Sequence, residues 1–239
     1  MTDPVLIWSY LTQGPLIWLT ATLIAYLLGD ASFRATGRQS WANPVLIAVI
    51  LLGLLLWVTG TDYTTYFEGA QFVHFMLGPA TVALALPLYD NLLRIKKAAW
   101  PMLAGLITGS SIAVISALVI ARGFGIEGAT LASLAPKSTT APVAIGIAER
   151  IGGRPTLTAA MVLLTGILGA IMATPLLNLL RIKDWRARGF SVGTAAHGIG
   201  TARAFQVNET AGAFAGIGMG LNAVLTAIIA PLALRLFGG

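Results

Sequence analysis

Lys137, Ser138, Thr139 and Thr140 stand in an unbroken row between Pro136 and Pro142, in a chain that is otherwise mostly apolar. A cation beside three hydroxyls is a concentration of hydrogen-bond donors, which suits a small anion. Each proline removes an amide donor and stops a helix, so the backbone between them opens. The half-helix beginning near Pro142 then turns its positive end toward the same place. A carboxylate fits a site of this size. The alternative has Lys137 snorkelling to the outer surface while the hydroxyls bond their own backbone. An ionisable group inside an apolar segment usually serves function, which favours the site.

A second cluster lies in "HGIGTAR", which places His197, Gly198, Gly200, Thr201 and Arg203 within seven residues. The glycines permit positive φ and close backbone approach. His197 can donate to an oxyanion or carry a coupled proton, and Arg203 can hold a carboxylate with two parallel bonds. The plainer alternative makes Arg203 a snorkelling residue and His197 a helix-packing donor. Lys137 and Arg203 are the charged residues plainly inside these two clusters, and no Asp or Glu lies between Pro136 and Pro142 or within 197–203. The buried electrostatics are therefore positive, which suits an anionic substrate and argues against a cation channel. The chain has no cysteine, two histidines, no paired carboxylates, and no HExxH or P-loop pattern. Neither an enzyme nor a metal or other cofactor is expected.

The elements that must position these groups are membrane helices. Of 239 residues, 56% are hydrophobic and 10% charged, with a mean hydropathy of +0.83; a soluble domain carries about 25% charged residues. The net charge of +6 falls in short loops, the pattern that orients a membrane protein and not one that binds nucleic acid. Apolar runs at 5–28, 44–60, 70–92, 98–121, 156–180 and 211–236 are long enough to cross the bilayer, which takes about 20 residues. The N-terminal run lacks a basic leader and a cleavage site and is expected to remain in the mature protein.

Arg34 and Arg38, then Arg94, Lys96 and Lys97, then Arg181, Lys183, Arg186 and Arg188 mark cytoplasmic loops, and the 61–69 loop with Asp62 and Glu68 is expected outside. Two full crossings separate the last two basic loops, so 128–152 is expected to enter and leave on the outer side as a re-entrant hairpin. Arg150 and Arg154 at its end run against that orientation. By the same logic 189–208 dips in from the cytoplasm. "ARGF" recurs at 121–124 and 187–190, each before a polar segment, and long Gly/Ala-rich helices follow, closing on "ATPLL" and "IAPLA". Paired interrupted segments of opposite orientation predict an inverted repeat with a site near the midplane; two ordinary polar helices are the alternative.

The fold class expected is an all-α polytopic membrane protein of about 6–8 transmembrane segments. It forms one domain, 1–239. Residues 1–121 supply N-terminal scaffold helices and 122–239 the two-unit repeat with interrupted segments 128–152 and 189–208. Gly78-Pro79 and Pro87 are expected to kink the span at 74–91, with His74 in a packing or interfacial role and not a ligand. Small residues over 212–225 mark close helix packing around Asn222.

Four stretches, "LGPATVALALPLY" (77–89), "LAPKSTTAPVAIGIAERIGG" (134–153), "LTGILGA" (164–170) and "GTAAHGIGTARAFQ" (193–206), resemble the LrgB family of bacterial inner-membrane proteins over about residues 15–236. That resemblance implies a multi-pass inner-membrane location. It also implies an antiholin-like role in control of murein hydrolases and lysis, with a small LrgA-type membrane partner. Related members resemble the membrane domain of the plastid glycolate/glycerate transporter, and bacterial relatives are associated with pyruvate uptake. Two functions follow as expectations. One is alternating-access transport of a small monocarboxylate held by Lys137, Ser138–Thr140 and the His197–Arg203 cluster. The other is lysis regulation through helix association. A homo-oligomer is expected in either case.

Overall fold

The computed structural model describes residues 14–76, Pro79, Tyr89 and 92–237, and all regular structure among them is helical. Four of the described helices are long and apolar enough to cross a membrane. The chain divides into two compact units, Met1–Ala83 and Leu84–Gly239.

In the first unit, α1 (Pro15–Ala35), α2 (Pro44–Thr59) and α3 (Tyr63–Phe75) pack together. Pro15 and Pro44 occupy first-turn positions, where a missing amide costs nothing. The Asn43 side chain caps α2 by accepting from Val45 N and Leu46 N. The helix expected at 5–28 is thus described from Pro15 onward and runs seven residues further, to Ala35. The expected outer loop at 61–69 is largely helical. Asp62 accepts from the Thr65 amide and hydroxyl at 3.0 and 2.7 Å and starts α3 there. Those hydrogen bonds hold the exposed Asp62 carboxyl down to about 2. Trp18 is buried and meets the Tyr66 ring edge-on at 6.0 Å. The kink expected at Gly78-Pro79 and Pro87 lies outside the described residues, save that Pro79 itself is exposed.

The second unit holds α4 (Leu92–Lys97), α5 (Ala99–Gly123), α6 (Gly128–Leu134), α7 (Ala141–Arg150), α8 (Pro155–Leu179), α9 (Trp185–Val207) and α10 (Glu209–Leu236). Its directions follow from close approaches. A Cβ on Gly105 would meet Phe190 and one on Gly109 would meet Thr194, so α5 and the start of α9 run parallel. Gly189 and Gly193 likewise abut the backbone of Ala211 and Ala215, so that limb is also parallel to α10. Yet α9 and α10 are joined only by Asn208, and Gly212 sits against Phe205. Both facts hold together because α9 is two limbs. Its backbone leaves helical values at Ala196 and His197, where His197 has φ 40° and ψ −134°. The chain reverses there, and Gly200 packs back against Val192 and Ala196.

A second break separates α6 from α7. Residues 135–140 form turns, and beyond α7 Gly153 lies against Ala132 and Ser133 of α6. The Ser133 hydroxyl accepts from Arg154 N at 2.7 Å, and its carbonyl accepts from Thr158 Oγ1 at 3.1 Å. The end of α7 is therefore beside α6. Ten residues of α7 cover only about 15 Å, half of a bilayer core. Leu118, Leu131, Ile147 and Ala230 bury one another at this end.

Candidate polar centre at two broken helices

The break at 135–140 sits deep in the second unit. Pro136, Ser138 and Thr139 are buried, Lys137 and Thr140 partly so, and Pro142 is exposed. Turn bonds from Lys137 N to Leu134 O and from Thr139 N to Pro136 O hold the open stretch at 3.3 and 3.1 Å. Thr140 is the N-cap of α7, but its side chain makes no capping bond, so the first turn keeps its positive end unneutralised. Lys137 Nζ donates weakly to Ser138 Oγ at 3.4 Å. The Thr139 hydroxyl is fully buried and has no hydrogen-bond partner.

Asn222 of α10 fixes this stretch. Its Nδ2 donates to the Ser138 carbonyl at 3.0 Å, while its Oδ1 accepts from Ser110 at 2.6 Å and from Thr226 at 3.2 Å. Ser110, Asn222 and Thr226 are all essentially without exposure. Ser110 lies midway along α5 and Asn222 midway along α10, so the break is held at mid-height of the unit.

The reversal of α9 reaches the same height. His197 is buried, and its Nε2 donates to the Val162 carbonyl of α8 at 2.9 Å. A Cβ on Gly166 would fall 2.6 Å from His197 Cε1, and one on Gly169 would collide with Ala196. The two glycines of "LTGILGA" therefore make room for the turn in α9. Thr201, just past His197, reaches Met219 Sδ of α10 at 3.9 Å, one turn from the Asn222 that holds Ser138, so the two breaks meet on one stretch of α10. Thr201 bonds back to the His197 carbonyl at 2.8 Å, and Gly200 provides the tight return. Gly198 is exposed.

Arg203 is placed apart from that meeting point. It lies six residues beyond His197, about 9 Å along the second limb. There it lines a small crevice with Trp185, Arg188 and Thr174. Arg188 is buried, donates to Asn178 Oδ1 and the Ile182 carbonyl, and sits 4.9 Å above the Trp185 ring. Asp184 begins α9, accepting from Arg186 N at 2.8 Å and pairing with the Arg186 side chain. Hydrogen bonds from that guanidinium hold Asp184 at about 2. Ser110, Thr226 and the glycines of α8 are site-shaping residues that the clusters around Lys137 and His197 do not reveal. Asn222 was legible as a lone amide on an apolar helix.

An all-helical membrane protein whose centre is built from two broken segments, with cations and hydroxyls and without acidic groups among the residues gathered there, is the class these features define. Within that class the chain belongs to the LrgB-like family, whose model matches residues 22–236. It is 36% identical over 220 residues to the uncharacterized protein YwbG of Bacillus subtilis, covering 92% of this chain and 97% of that one. It is 35% identical to the holin-like protein CidB of Staphylococcus epidermidis, covering 82% and 85% of the two chains. It is 30% identical to the antiholin-like protein LrgB of Bacillus cereus, covering 95% and 99%. No solved structure matches the chain.

Proposed function

We propose that the protein carries small monocarboxylate anions of the glycolate, glycerate or pyruvate type across the bacterial inner membrane by alternating access. The observation that carries this reading is the placement of both breaks against one stretch of α10, beside a buried Thr139 hydroxyl with an open bond. The carboxylate is held by Lys137, Thr139 and the first turn of α7. Ser138 and Thr140 complete the donor row, His197 faces it, and Gly198, Gly200 and Thr201 shape the return. Arg203 adds positive field from the crevice below. Segments 128–152 and 189–208 dip in from opposite faces as an inverted repeat, and the N-terminal helices serve as scaffold. Purified protein in liposomes is expected to accumulate labelled pyruvate or glycolate, and Lys137→Ala to remove that uptake.

The names of the relatives favour a second reading, a holin- or antiholin-like regulator of lysis acting with a small membrane partner, more than they favour transport. One feature of α10 gives it a surface. Gly220 is exposed with nothing within reach of an added Cβ, as a helix-packing face for a partner would be. Lysis control that survives Lys137→Ala but fails in Gly220→Leu would decide for the regulator.

A further inference from the structure

A cavity of about 680 Å³ lies between α5 and the first limb of α9, within the range of roughly 300–1,000 Å³ found for small-molecule sites. Neither the donor row nor the His197 turn accounts for it. Its lining runs from Lys97, the last residue of α4, along α5 from Pro101 through Gly109 to Ala113, and along α9 from Arg186 to Ala195. From Pro101 to Ala113 is about 18 Å of helix, from the end of α5 to its middle. The inner end therefore reaches the level of Ser110, which bonds Asn222, and its lining stops two residues short of His197. At Gly105 and Gly109 the two walls come close, since Cβ atoms there would stand 3.7 and 3.6 Å from Phe190 and Thr194. At the mouth stand Lys97, Arg186 and Asp184, and Asp184 is committed to Arg186. The mouth thus carries one net positive charge and no carboxylate free to repel an anion.

We infer that this cavity is the vestibule through which the carboxylate reaches the polar centre from the basic end of the protein. The inference rests on the carrier reading and adds its route and its mouth. Lys97 and Arg186 draw the anion in, and Ala195, at the inner end, lies two residues from the turn at His197.

The absence of cysteine makes the route directly testable. Gly109→Cys and Ala113→Cys in sealed vesicles are expected to react with a charged, membrane-impermeant thiol reagent from one side only, the side bearing Lys97. Saturating pyruvate or glycolate should slow that reaction several-fold. Gly109→Trp, whose side chain would fill the cavity, should lose uptake at least about tenfold. Reaction only with an uncharged, lipid-soluble maleimide would mean that an acyl chain fills the cleft, and would overturn the inference. Full uptake in Gly109→Trp would overturn it while leaving the carrier reading standing. One-sided labelling that neither carboxylate slows, in protein that takes up neither, would overturn both.

Discussion

Thr139 presents the sharpest contradiction between stability and structure. A buried hydroxyl without a partner costs about 1–3 kcal/mol, more than a neutral apolar side chain of the same shape would. Thr139→Val should therefore keep or raise the melting temperature, by roughly 2–4 °C for each kcal/mol relieved, while lowering uptake. A Val variant that melts lower and transports normally would show the hydroxyl to be structural. Lys137 differs, since a charge-assisted bond to a carboxylate is worth about 1.5–3 kcal/mol, so its loss should cost uptake on the order of 10–100-fold. The cation, the hydroxyls and His197 were all legible from residue type and spacing. Their fixtures were less so. Ser110 and Thr226 look like ordinary small polar residues of membrane helices, and only their position opposite Asn222 gives them a role. Arg203 was grouped with His197 by spacing in sequence, but a helical limb carries it a turn and more away.

Helices explain why glycines recur where they do. Gly189 and Gly193 let α9 approach the carbonyls of Ala211 and Ala215 more closely than any side chain allows. Gly193→Ala should therefore destabilise by about 1–3 kcal/mol or more, because backbone on the other side cannot yield. Gly220→Ala, with open space around it, should leave the melting temperature unchanged or slightly raised. Equal effects of the two would refute the parallel packing of the first limb on α10. The start of α9 adds a pH signature. Asp184 titrates at about 2 in the folded protein against an ordinary 3.8. A depressed carboxylate stabilises above its unfolded value and loses that contribution as pH falls between about 4 and 2. The stability difference between wild type and Asp184→Asn should thus stay constant from pH 5 to 8 and shrink below pH 4; growth of the difference on acidification would contradict the pairing. Element boundaries were the least legible part. Apolar composition alone set the first helix at 5–28, whereas Pro15 and the capping Asn43 and Asp62 mark where the described N-terminal helices begin.

Across the whole chain, the long apolar helices and the two polar interruptions were readable because a bilayer demands runs of about 20 apolar residues and punishes open backbone. What hydropathy could not supply was direction. The reversal at His197 emerges only from which glycine faces which carbonyl, and the return of α7 only from Ser133 meeting Arg154. Together these place both breaks at mid-height of the second unit. Cysteines replacing Glu127 and Arg154 should accordingly be labelled from the same side of the membrane, and labelling from opposite sides would mean that 128–152 crosses. The central claim is that the meeting of Lys137 with the turn at His197 holds a carboxylate in transit. Its most direct test is uptake of labelled pyruvate and glycolate by liposomes holding either wild type or Lys137→Ala. Saturable uptake by the wild type, competed by other short carboxylates and lost in the folded variant, is the predicted result. Equal uptake by the two proteins, or none by a wild type that still controls lysis in cells, would contradict it.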